Sequence, residues 1–103
     1  MNKLIPQCIR KTIPALYSTE DQTDPVVYVK LFIDSWTWYI TEISADNDTC
    51  FGYVESSFGS ELGYFSLKEI IAVKNSLGLG IERDLYFNPT SLSTIRKGEN
   101  VNS

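Results

Sequence analysis

Thirteen carboxylates dominate the chemistry this chain can offer, because it has no histidine and only two cysteines, Cys8 and Cys50. Without imidazole, the usual general base near neutral pH is missing. Neither cysteine lies in a CxxC pair or beside a cation that would favour its thiolate, so zinc binding and cysteine nucleophilic catalysis have no framework. No GxSxG or SxxK stretch is present, and the GLG run at Gly78 to Gly80 reads as a helix stop rather than a phosphate cradle. Carboxylate pairs could serve a metal-dependent nuclease or a glycosidase, yet thirteen acids are normal surface chemistry for a domain of 103 residues. A non-enzymatic binding protein without a cofactor is expected.

The placing of the acids says more than their number. From Ser18 to Ser66, nine acids are set against Lys30 alone, about −8 by count; the remainder carries eight bases against four acids, about +4. Seven acids are candidates for one partner-binding rim: Glu20, Asp21 and Asp24 in the run YSTEDQTDP, Glu42, Asp46 and Asp48 around SADNDT, and Glu55. Such a rim disfavours direct binding of nucleic acid, whose phosphates need neutralising, and suits a basic protein groove. Glu20, Asp21 and Asp24 together have the oxygens a divalent cation wants, but their loop matches no EF-hand and holds no glycine. Capping and turn formation are the better account of them, and no metal is expected. The aromatic set Tyr28, Phe32, Tyr39, Phe51 and Tyr53 could stack bases, but with acidic neighbours a core or interface role is favoured.

The elements that must position these residues centre on Val26 to Ile43, VVYVKLFIDSWTWYITEI, two β-branched and aromatic runs flanking Asp34 and Ser35. That pattern predicts an antiparallel hairpin. With the turn at Asp34 and Ser35, Ile33 opposes Trp36, Leu31 opposes Trp38 and Val29 opposes Ile40. One face then carries Val27, Val29, Leu31, Ile33, Trp36, Trp38 and Ile40 and must be covered. The other carries Tyr28, Lys30, Phe32, Thr37, Tyr39 and Thr41, a mixed surface suited to partial exposure.

A third strand is expected over Cys50 to Glu55, where Gly52 points to a bulge or to close approach by a large neighbour, with a tryptophan as the natural candidate. Its register stays open: either Cys50 and Val54 or Phe51 and Tyr53 face the core. A short strand follows at Leu62 to Phe65. Ser66 and Glu69 form a capping box ahead of a helical stripe of Leu67, Ile70, Ile71, Val73 and Leu77, with Gly78 as the left-handed stop. This main helix is the expected lid over both tryptophans. A short N-terminal helix fits between Pro6 and Pro14, with Arg10 and Lys11 pointing outward. Gly80 to Phe87 reads as an edge strand, Thr90 to Lys97 as a final turn or short helix capped by Ser91, and the terminal GENVNS as frayed.

The reading for residues 1–103 is therefore a single α+β domain. It is an antiparallel sheet of about four to five strands, with one main helix and a short N-terminal helix packed on one face. Hydrophobic residues make up 43% of the chain and aromatics 13%, so a packed core rather than general disorder is expected. No segment approaches the length of a membrane span, and MNKLIPQCIRK lacks a signal-peptide core, so a cytoplasmic protein with reduced thiols is expected, a Cys8–Cys50 disulfide being the alternative.

The runs LYSTEDQTDPVVYVKLF, SWTWYITE, FGYV, ELGYFSLKE and GIERDLYFNPT, spread from Leu16 to Thr90, resemble a widespread bacterial family of domains of unknown function found on plasmids and conjugative elements. The chain is also similar in length and in these motifs to an anti-CRISPR member of that family, an inhibitor of the RNA-guided DNA nuclease of type II-A systems. The resemblance implies protein–protein inhibition, with the CRISPR effector nuclease or its guide-RNA complex as partner and no catalytic residues to carry over. An accessory role in plasmid transfer or DNA metabolism is the alternative it leaves.

Overall fold

The computed structural model describes residues 4–101, and side chains for 4–97. Its elements in order are α1 (Gln7–Arg10), β1 (Val26–Val27), β2 (Val29–Ile33), β3 (Trp36–Ile43), β4 (Thr49–Ser56), β5 (Gly59–Ser66), α2 (Leu67–Ile71), β6 (Glu82–Arg83), β7 (Thr90–Ser91) and α3 (Leu92–Val101). Five strands form an antiparallel sheet in the order β5-β4-β3-β2-β6, and β1 pairs with β7 in a separate two-stranded sheet. The architecture is mixed α+β with short helices. The fraying expected of GENVNS falls on residues whose side chains, and for the last two whose backbone, lie outside the described part.

The hairpin at the centre has the register its residues dictate: Val29 opposes Ile40, Leu31 opposes Trp38 and Ile33 opposes Trp36. Asp34 turns the chain at a φ of 51°, a left-handed conformation that aspartate tolerates better than most residues. Two irregularities then redistribute the side chains. The pairing of β3 with β4 shifts between Ile40 and Glu42, so a bulge at Thr41 returns Ile43 to the same face as Ile40. The chain also breaks at Tyr28 between β1 and β2, which sends Val27 to the other side of the sheet from Val29.

Two cores result. The larger packs Val29, Leu31, Ile33, Trp38, Ile40, Ile43 and Cys50 against Ile5 and Ile13, which flank α1, and against Leu67, Ile70 and Ile81. The smaller packs Val27, Tyr39 and Tyr53 against Leu92, with Phe87 and Ile95 at its margin. The second face is divided: Lys30, Phe32 and Thr37 are half-buried as expected, while α3 roofs its other part, where Tyr39 and Thr41 are interior together with Tyr53. The choice left open for β4 resolves both ways, Cys50 entering the first core and Tyr53 the second.

Further expectations are corrected. There is no main helix over Ser66 to Leu77: α2 ends at Ile71, with Leu67 and Ile70 buried. The cause lies in Asn75, whose side-chain oxygen accepts from the N–H groups of Leu77 (2.9 Å) and Leu79 (3.0 Å), offering the backbone a turn in place of a helix. Gly78, at φ 78°, serves that turn rather than a helix stop. The lid over both tryptophans is incomplete as well. Trp38 is 7% exposed, but Trp36 is 39% exposed at the hairpin tip, stacked on Trp38 with centroids 5.9 Å apart. Close approach at Gly52 does occur, though not by a tryptophan: a Cβ there would lie 1.8 Å from the Tyr39 carbonyl oxygen of the neighbouring strand. Arg10 does not point freely outward. It donates from Nε to Asn47 Oδ1 and from Nη2 to the Ser44 carbonyl (3.1 Å), hooking α1 onto the β3–β4 turn. Cys8 and Cys50 are free thiols, the first exposed and the second buried.

Candidate functional site

Glu42 explains how the acidic loop is held. The bulge at Thr41 leaves Glu42 opposite Phe51, on the face of the sheet that α3 partly covers. Its carboxylate is only 3% exposed and is satisfied by the loop itself. Oε1 accepts from the Tyr17 N–H (2.9 Å), and Oε2 accepts from the Thr19 N–H (2.9 Å) and from the Thr19 hydroxyl. A buried carboxylate with backbone donors on both oxygens is a strong anchor, since removing it strands those donors. Tyr17 sits at a φ of 69°, a strained position for a bulky side chain, and the anchor offsets that strain.

Held this way, the segment from Tyr17 to Pro25 forms one wall of an open groove of about 450 Å³. Phe51, Leu62 and Tyr64 form its floor on β4 and β5, and Leu92 and Arg96 of α3 form the opposite wall. Phe51 and Tyr64 pack at 4.8 Å between centroids, and Tyr17 lies 6.1 Å from Tyr64. The Arg96 guanidinium lies over the Tyr53 ring at 5.2 Å. The Tyr64 phenol is pushed above its usual value by desolvation, then by Tyr17 and the negative charges of Glu20 and Glu42. The groove is therefore an aromatic floor under net negative potential.

The seven acids expected at one rim do not gather there. Glu20 lines the groove, and both it and its neighbour Asp21 are exposed. Asp24 instead caps α3, accepting from the Ser93 N–H (2.8 Å) and hydroxyl (2.7 Å), and these bonds hold its carboxyl below the ordinary range. Glu42 is an interior anchor rather than a surface charge, a correction that follows from the bulge. Asp46 folds back within the β3–β4 turn, taking the Ser44 hydroxyl and the Asp48 N–H (3.1 Å), and is likewise lowered, chiefly by the Ser44 bond. Asp48 caps α2, accepting from Ser66 Oγ (2.9 Å) and the Lys68 N–H (2.9 Å). Glu55 stands near the far end of β4, opposite Thr37 and within 3.4 Å of the Tyr39 hydroxyl. Glu55 lies seven residues beyond Asp48 along β4, roughly 23 Å at the usual rise.

What the sequence reading missed is the floor. Leu62 and Tyr64 lie in the strand expected, in shorter form, at Leu62 to Phe65, and their exposure follows from β5 being the sheet edge, which composition does not reveal. Among the described residues, no three His, Cys, Asp or Glu side chains are placed to hold a metal ion, and no helix is long and apolar enough to cross a membrane.

Against known proteins, residues 4–97 match the model of a single family, DUF2958, described as a protein of unknown function. The chain belongs to the DUF2958 family. No curated protein and no solved structure matches it. In this DUF2958 domain the matched span takes in the anchored loop, both sheets, the groove and the first residues of α3.

Proposed function

We propose that this DUF2958 domain is a non-enzymatic inhibitor of the type II-A RNA-guided DNA nuclease, acting by docking onto a basic surface of the nuclease or its guide-RNA complex. Such nucleases hold nucleic acid in a positively charged channel and read a short duplex motif with arginines. A domain presenting carboxylates beside aromatic rings competes for that kind of surface, because charge steers the encounter and the rings supply buried contact area. The observation that carries the reading is the pairing of exposed Glu20 and Asp21 with the Phe51, Leu62 and Tyr64 floor on one rigidly anchored loop and groove.

The structural duties of Asp24, Glu42, Asp46 and Asp48 narrow the proposed contact set to Glu20 and Asp21, with Glu55 as a separate, more distant charge. Charge reversal at Glu20 and Asp21 is expected to weaken inhibition of target cleavage and to reduce its salt sensitivity, with no change in melting temperature. Full inhibition by the Glu20→Lys, Asp21→Lys double variant would overturn the acidic-surface reading.

A further inference from the structure

Among the described residues, no strand pairs with the outer side of β5, the edge of the five-stranded sheet next to the groove. β5 runs eight residues, from Gly59 to Ser66, and pairs along its whole length with β4, yet it stands last in the order β5-β4-β3-β2-β6. The opposite edge is treated differently: β6 is only two residues long and is closed off by the turn at Asp84. A long edge strand offers a row of outward N–H and C=O groups, and sheets commonly guard such rows with proline, lysine, bulges or short length. β5 has none of these between Ser60 and Phe65; its one charge is Glu61.

Alternation decides what an added strand would meet. On the groove side, β5 presents Leu62, 44% exposed, and Tyr64, 56% exposed, with Tyr17 beyond them. On the other side it presents Glu61 and Gly63, and nothing lies within 4 Å of where a Gly63 Cβ would be. The charges near either side are unlike a basic edge. Glu20 and Glu42 line the groove, Glu61 lies on the strand, and the base among the lining residues, Arg96, is engaged with the Tyr53 ring.

We infer that β5 is a docking edge that takes an extended, arginine-bearing segment of a partner protein as a sixth strand, with arginines lying over Tyr64 and Tyr17 beside Glu20. Backbone hydrogen bonds to the edge supply sequence-tolerant affinity, and alternate side chains supply selectivity. Arginine suits this floor because its planar guanidinium stacks on aromatic faces while pairing with a carboxylate. The inference rests on the inhibitor reading for who the partner is, but not for the existence of the site.

The test uses the full chain and two synthetic peptides, one alternating arginine with threonine and one alternating glutamate with threonine, followed by amide NMR and amide hydrogen exchange. The arginine peptide is expected to bind saturably, shift the resonances of Glu61 to Phe65 and slow amide exchange there. Leu62→Lys and Tyr64→Lys are expected to weaken this binding by about tenfold or more, the scale of a lost interface anchor. Melting temperature checks that both variants stay folded.

Equal binding of the glutamate peptide, no response at β5, or perturbation only elsewhere on the surface would overturn the proposal. So would concentration-dependent dimerisation through β5 in the protein alone, since a second copy would then be its occupant. The two readings fail separately. Peptide binding at β5 without inhibition of the nuclease removes the inhibitor reading and leaves the docking edge standing. Undiminished inhibition by Leu62→Lys, with no binding of the arginine peptide at β5, does the reverse.

Discussion

Gly52 shows how one missing side chain fixes two strands. It opposes Ile40, and a Cβ would sit 1.8 Å from the Tyr39 oxygen and 2.9 Å from the Tyr39 carbon, backbone atoms that cannot swing aside. Gly52→Ala is therefore expected to destabilise the domain by about 3 kcal/mol or more, at the upper end of overpacking costs, as read by urea unfolding. Cys50 makes a second residue-scale prediction. Burial, and next the negative charge of Asp48, push its thiol up to about 12, so it stays protonated and unreactive near neutrality. Iodoacetamide at pH 8 is expected to label exposed Cys8 in the native protein and to reach Cys50 only in denaturant. Labelling of both at equal rates would contradict the buried placement of Cys50.

The helices and the acidic loop depend on borrowed hydrogen bonds. α2 has five residues and α3 ten, so neither is long enough to rest on propensity alone. Ser66, which accepts from the Glu69 N–H, ties α2 to Asp48; Ser66→Ala is expected to cost about 1 kcal/mol, the usual worth of an N-cap. Asp24 and Asp46 have carboxyls lowered from 3.8 in the folded state. Because they are depressed, their contribution is fully present above that value and is lost as pH falls through their folded values. Thermal unfolding should show stability declining below about pH 4, and Asp24→Asn should flatten part of that decline. For the loop, Glu42→Ala would leave the Tyr17 and Thr19 N–H groups without their acceptor, at a cost of about 2 kcal/mol, and should open residues 17–25 to limited proteolysis.

The central hairpin and its register were legible in the sequence, because a two-residue turn and a strict alternation leave one solution for Val29 to Ile40. The Ser66 cap was legible for the same local reason. Places where one residue changes the parity of a strand were not. The break at Tyr28 and the bulge at Thr41 moved Val27 and Glu42 to the other face, giving the domain a second core and turning a supposed surface acid into an interior anchor. The early end of α2 was also hidden, since the apolar stripe through Val73 and Leu77 continues past the point where Asn75 takes over the backbone. At the candidate site, the sequence showed the acidic loop but not the groove. Phe51, Leu62 and Tyr64 meet only through strand pairing between β4 and β5.

At the scale of the whole molecule, a bipolar chain folds into a sheet with one long edge strand that is unpaired on its outer side among the described residues, a groove beside that edge and a loop pinned above it by a buried carboxylate. In the inhibitor proposed above, Glu20 and Asp21 compete at a basic surface of the nuclease. The most direct measurement is target-DNA cleavage by the type II-A nuclease, with the protein added before guide, before target or after target, using the wild type and the Glu20→Lys, Asp21→Lys variant. The wild type is expected to inhibit when it precedes target DNA, and the variant to show a marked loss of that inhibition. Cleavage untouched by the wild type, or blocked equally by both proteins, would contradict it.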